Sequence, residues 1–357
     1  ASLYATAQIN ADARYTLSVA TSTKHRLPPD GSGFSNLFLA GDWTKSPLDL
    51  GCAENATMSG RFAGQAAAKA TIASEARAFV EYPGMPVFPP PYRQTDVTMC
   101  ELAPETDPTR MQTVLDRYLN PCAGDRRFRA LGRWVLLQTG FIAQNHGGAP
   151  DEDFGTASET SASFLVPCAR VCGPNGLVEV GFFAPMIFVS HPLSLVAGRE
   201  VLGMAKHLAS FDGAMPERLD DTTVTTMGLA RFGPDEPIAP LELIRVTRAP
   251  GDARGEGRHP IRDLLADFAS ARTVTFFCLR QLRDLRDPSR ASSSELVRGR
   301  LKLGRVTLDS LPGAHTIAIA RAASHPIADL FGFADGPLTA SFAAKIHVDE
   351  ATLDVEP

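Results

Sequence analysis

Between Glu179 and Leu208 the chain places one lysine, Lys206, just past a long apolar run that holds a single carboxylate, Glu179, and ends in Gly198-Arg199-Glu200. Apolar walls strip water from an ammonium and favour the neutral amine. A neutral amine is the nucleophile that Schiff-base chemistry on a carbonyl requires. Glu179, alone among apolar neighbours, suits a general acid-base or substrate-orienting role; a strand residue facing solvent is the plainer alternative. Arg199 and Glu200 read as an ion pair shaping the turn before the lysine. His191 and His207 are isolated, which argues against a metal site, although His207 stands next to Lys206 and supplies a second cation there when protonated. With no Gly-x-Ser-x-Gly elbow, a Ser-His-Asp arrangement has no support.

Composition bounds the rest. A chain of 357 residues is long for one domain and comfortable for two, and 44% hydrophobic with 21% charged residues is ordinary for a globular protein. The net charge of -5 leaves no electrostatic footprint for nucleic acid. Six scattered cysteines with no Cys-x-x-Cys pair suggest neither a disulfide framework nor a zinc ribbon, so a reducing cytoplasm fits best. The longest apolar run is broken by Pro185, His191 and Pro192, which reads as buried strands and no membrane span. The chain opens at Ala-Ser-Leu-Tyr with no signal-peptide pattern, and is expected to be part of something larger.

The Gly198-Arg199-Glu200 triplet followed by Lys206 resembles the acetoacetate decarboxylase family, and so does Glu179-x-Gly181-x-x-x-Pro185 upstream. The resemblance spans about residues 85–350 and implies that Lys206 forms the imine with a β-keto acid, Glu179 is the active-site glutamate, and His207 stands where the family has a second lysine. Ala205 replaces the family's proline before the lysine. Arg93, after the proline-rich lead-in, matches loosely the arginine that binds the substrate carboxylate, a task its planar fork suits. A surface arginine at a strand start is the equal alternative. Catalytic roles thus fall to Lys206, Glu179 and His207, and substrate binding to Arg93 and Arg199. No cofactor is implied for this domain.

Ahead of it, Asn36-Leu-Phe-Leu-Ala40 reads as a buried strand closed by Gly41-Asp42, and an alanine-rich helix follows to about Ala76. These residues resemble the C-terminal FAD-binding segment of flavin-dependent amine oxidases and phytoene desaturases. That implies flavin contacts from Gly41, Asp42, Glu54, Ser59 and Gly60. The Gly-x-Gly-x-x-Gly fingerprint is missing, so FAD is expected only if a preceding region supplies it.

The elements that must position Lys206 are mostly strands. Runs at Asp96–Leu102, Trp134–Ile142, Ser163–Val171, Leu177–Val189, Thr222–Ala230, Glu242–Val246, Thr273–Leu279, Leu301–Leu308, Ala314–Ala320 and Ser341–Val348 are separated by turn signals, with helices at Thr109–Leu119 and Pro260–Ala271. The expected fold is α+β, mainly β: a barrel of antiparallel strands over 93–357, a proline-rich linker over 77–92, and a strand-helix fragment of an FAD-binding α/β domain over 1–76. The expected function is a carbon-carbon lyase acting on a β-keto acid or related carbonyl through a lysine Schiff base, in a chain fused to the tail of a flavin-dependent oxidoreductase. Two alternatives stand beside it: an FAD-dependent amine oxidase-type enzyme, and a non-catalytic module binding a small ligand. The expected partner is a small carbonyl or keto-acid substrate, with self-assembly into a homo-oligomer left open.

Overall fold

A computed structural model describes residues 21–34, 36–48, 52–74, 88–124, 126–148, 152, 155–172, 176–212, 217–249 and 258–356. The chain divides into two compact units, Ala1–Pro83 and Gly84–Pro357. Most of the expected linker lies outside the described residues.

In the first unit the alanine-rich segment forms helix α1, Ala53–Ser74, as its composition favours. The expected strand at 36–40 pairs with no other strand among the described residues. Its Leu39 N–H donates instead to Pro29 O at 2.9 Å.

Among the described residues, the second unit is built on thirteen strands joined in one hydrogen-bonded network. In chain order its elements are β1 (Tyr92–Pro104), α2 (Pro108–Tyr118), β2 (Arg126–Ala130), β3 (Leu136–Gly147), β4 (Ala157–Cys172), β5 (Leu177–Val189), α3 (Pro192–Ala197), a π-helical turn (Gly198–Leu202), β6 (Lys206–Asp212), β7 (Thr223–Gly228), β8 (Ala239–Ala249), α4 (Pro260–Ala271), β9 (Thr273–Arg283), β10 (Ala291–Leu303), β11 (Val306–Ser310), β12 (Ala314–Ile319), α5 (Ile327–Phe331) and β13 (Leu338–Glu356). The expected single strand Leu301–Leu308 is two, because Gly304 and Arg305 break it. Pairings β4–β3–β1–β13–β10–β9–β5 return to β4 and close a circuit. It is not the simple antiparallel barrel expected, since β5 runs parallel to both β6 and β9.

Period-2 alternation divides the core between the two faces of the sheet. Along β1, Leu102 joins Phe164, Phe188 and the α2 residues Met111 and Leu115, whereas Val97 joins Phe182, Ile187 and Ile261 and Leu265 of α4. Proline at the first position and a side-chain cap start α2, α3 and α4. Asp107 caps α2, while His191 and His259 cap α3 and α4 by accepting backbone N–H groups at 3.2 Å. No helix among the described residues is long and apolar enough to cross a membrane.

Candidate active site

A sharp reversal delivers Lys206 to its place. After α3 the π-helical turn ends at Gly203, whose φ of 73° is left-handed; a Cβ there would meet the Arg280 backbone nitrogen at 2.6 Å. Conformation and space therefore both require glycine. Lys206 then opens β6 opposite Ile187 of β5, and its stem lies across Gly198. A Cβ on Gly198 would stand 2.6 Å from Lys206 Cε and 3.1 Å from Nζ, so the glycine of the Gly-Arg-Glu triplet is the floor under the lysine.

The amine donates to Ser194 Oγ at 2.5 Å and lies 4.0 Å from Glu159 Oε1. Both side chains are nearly out of water, Lys206 at 13% exposure and Glu159 at 6%. They line a cavity of about 170 Å³ whose other walls are largely apolar, with Met99, Leu165, Phe182 and Phe276 among them. Cross-strand register organises one wall into rows: Val97, Ile142 and Glu159; then Met99, Gly140 and Ser161; then Glu101, Gln138 and Ser163. In the last row the Gln138 amide donates to Glu101 Oε1, and Glu101 Oε2 has no hydrogen-bond partner among the described residues. Glu101 is 1% exposed, and burial pushes its carboxyl up to about 7 against the lowering effect of Gln138. Among the described residues of the lining, Lys206 is the sole cation.

Glu179, expected beside Lys206, is not in this cavity. It pairs with Arg170 at 2.7 Å, Arg298 at 3.3 Å and Arg300 at 3.7 Å, at 24% exposure. The cause is a bulge in β5. Ile187 faces the cavity, and counting back by twos reaches Glu179, but the register with β4 slips between Met186 and Phe183, beside Pro185. One extra residue turns every side chain before it to the opposite face. Glu159, which does reach the amine, lies in no motif; only the alternation of Glu159, Ser161, Ser163 and Leu165 along β4 marks it.

His207 is likewise turned away, because neighbours on a strand point to opposite faces. Its ring lies 5.5 Å from that of Phe188 and 4.9 Å from that of His325. Burial first, then His325 and Arg199, lowers its pKa to about 4. It is uncharged near neutrality and supplies no second cation to Lys206. Arg199 donates to the Lys206 carbonyl oxygen at 3.1 Å and fixes the backbone of the turn. Arg93 is 52% exposed, pairs with Glu152 at 3.1 Å, and does not line the cavity.

In the first unit the expected flavin contacts bind one another. The buried Ser59 hydroxyl accepts from the Gly41 N–H at 3.1 Å and bonds Thr44 Oγ1 at 2.6 Å, while the Asp42 carbonyl accepts from Asn55 Nδ2 at 2.8 Å. Glu54 opens α1 and Gly60 follows Ser59 within it. The Gly41 N–H, one of the expected flavin contacts, is thus spent holding the loop to the helix, with Ser59 Oγ accepting it.

Compared with known proteins, residues 82–331 match the family model for acetoacetate decarboxylase. This chain belongs to the acetoacetate decarboxylase family. Among solved structures it is similar to an acetoacetate decarboxylase from Legionella pneumophila subsp. pneumophila str. Philadelphia 1, at 17% identity and a TM-score of 0.48, covering 79% of this chain and 92% of that one. An acetoacetate decarboxylase at 13% identity gives a TM-score of 0.46 over 76% of this chain and 91% of that one. An acetoacetate decarboxylase-like enzyme from Sphingomonas wittichii RW1 gives 17% and 0.43 over 73% and 90%. No curated protein matches the chain. The family match begins at residue 82 and so covers none of the segment in which flavin contacts were expected.

Proposed function

We propose that the second unit is a lysine-dependent lyase that forms an imine between Lys206 and the ketone of a β-keto acid or related carbonyl compound. The observation that carries this reading is the lysine's setting. Its amine sits in a mostly apolar cavity, held by Ser194 and 4.0 Å from the buried Glu159 carboxylate. Family membership supports the same reading.

In the proposed cycle the Lys206 nitrogen attacks the ketone carbon, a C–N bond forms, and the oxygen leaves as water. The protonated imine draws the electron pair of the C–C bond to the carboxylate, and CO2 departs as that pair becomes the enamine. A proton returns to the α-carbon, and water then adds to the imine, releasing ketone and free amine. Glu159 is the group placed to carry protons at the amine and the adjacent carbon, a role worth roughly 10²–10⁴-fold. Ser194 orients the amine. Glu179 and His207, facing elsewhere, take no part.

The test is release of CO2 and ketone from a panel of β-keto acids. Wild-type protein is expected to turn over at least one of them and Lys206→Met none; equal turnover by both would end the proposal.

A further inference from the structure

The far end of the Lys206 cavity carries a second polar feature that imine chemistry does not use. Glu101 and Gln138 are direct cross-strand partners, and Ser163 extends their row on the next strand. Gln138 pins one oxygen of Glu101, while the other, fully buried, meets no partner among the described residues. Buried polar atoms in native proteins are nearly always satisfied, and an exception lining a cavity points to a group that arrives from outside. The row lies four residues along β4 from Glu159, about 13 Å at strand rise. A substrate touching both ends must therefore carry a body between its reactive carbonyl and its second polar group, and the wall between is mostly apolar.

The charge balance says what that second group is. Among the described residues the cavity is lined by two carboxyl side chains, Glu101 and Glu159, and by no cation except Lys206. Arg93, the residue expected to hold a carboxylate, is outside it, paired with Glu152. A carboxylate pushed against Glu101 would be buried beside a carboxyl group with no counter-ion, which is costly. An amide, ester or hydroxyl meets complementary partners there, because Glu101, its carboxyl pushed up to about 7, donates in its protonated form and Gln138 offers an amide.

Resting on the reading of Lys206 as nucleophile, we propose that Glu101 and Gln138 form a distal subsite for an uncharged polar group. The preferred substrate is then a carbonyl compound with an aliphatic body and a neutral hydrogen-bonding end, in preference to one ending in a free carboxylate.

Three probes test this: an eight-carbon methyl ketone ending in a primary amide, the same chain ending in a carboxylate, and the unsubstituted ketone. Each is incubated with the intact protein and borohydride, and adduct on Lys206 is quantified by peptide mass spectrometry. The amide is expected to label at least about tenfold faster than the carboxylate. Glu101→Leu is expected to collapse that ratio, and Glu101→Gln, which keeps size and a donor, to preserve it. Equal rates for amide and carboxylate in the wild type, or a ratio untouched by Glu101→Leu, overturns the subsite alone. Absence of any adduct on Lys206 from all three probes overturns the imine reading and this inference with it.

Discussion

Replacing Gly198 by alanine should damage chemistry while sparing the fold. Gly198 has φ -62° and ψ -40°, an ordinary helical conformation, so alanine meets no backbone strain there. In a helical position alanine is favoured over glycine by about 0.5–1 kcal/mol. The new methyl, however, would stand 2.6 Å from Lys206 Cε and 3.1 Å from Nζ. Carbon atoms rest about 3.5–4.0 Å apart, so the lysine stem must move by about 1 Å. That displacement breaks the 2.5 Å bond to Ser194 and alters the 4.0 Å approach to Glu159. A misplacement of about 1 Å costs on the order of 10²-fold in rate, or about 2.7 kcal/mol of barrier. The assay pairs kcat/KM for ketone release with a thermal melt of the same sample. The expected result is a loss on the order of 10²-fold with Tm unchanged or slightly raised. Activity within about twofold of wild type would refute the argument that Gly198 is the floor under the nucleophile.

Other outcomes follow from the same geometry. Glu159→Gln should lower kcat by roughly 10²-fold or more with little change in KM, as loss of a proton carrier requires. His207→Gln should leave labelling of Lys206 at neutral pH within about twofold, because the ring it replaces is uncharged there and faces the other side of the sheet. Glu179→Ala should spare turnover but cost roughly 2 kcal/mol in a denaturant melt, since it strips Arg170 and Arg298 of a half-buried partner. For Glu101, the folded pKa of about 7 lies above the ordinary carboxylate value of 4.5. Its proton therefore stabilises the fold fully below pH 4.5, and that contribution is lost as pH rises through 7. The loss is at most about 3 kcal/mol, and it should vanish in Glu101→Gln when stability is followed from pH 4.5 to 7.

The place of Lys206 and the turn before it were legible because they depend on local sequence. The Gly-Arg-Glu triplet and the lysine six residues on are held by hydrogen bonds within the segment, such as Met204 N–H to Gly198 O at 2.8 Å. Most strands of the second unit were legible too, from alternation and turn signals, as were both longer helices. The carboxylate partner was not, because its position depends on register. The β5 bulge beside Pro185 exchanges the faces of the strand, and nothing in a row of apolar side chains announces a bulge. Glu159 and Glu101 come from β4 and β1, more than 40 residues from Lys206 in sequence, and meet the cavity only through pairings that close the circuit of strands. The strand predicted at 36–40 failed for a related reason: an apolar run suggests a strand but cannot name a partner, and none of the described residues supplies one. The charge of His207 was also out of reach, since Phe188 and His325, which bury it, are brought there by the tertiary fold.

Attack of the Lys206 amine on a carbonyl is the step on which the proposed chemistry depends. Incubating the protein with a series of β-keto acids and ketones, reducing with borohydride and mapping the mass increase by peptide mass spectrometry tests it most directly. The expected result is a reduced adduct on Lys206, abolished by Lys206→Met and slowed in Gly198→Ala. A protein that gives no adduct with any carbonyl across the neutral pH range, or carries its adduct on another lysine such as Lys302 or Lys345, would contradict it.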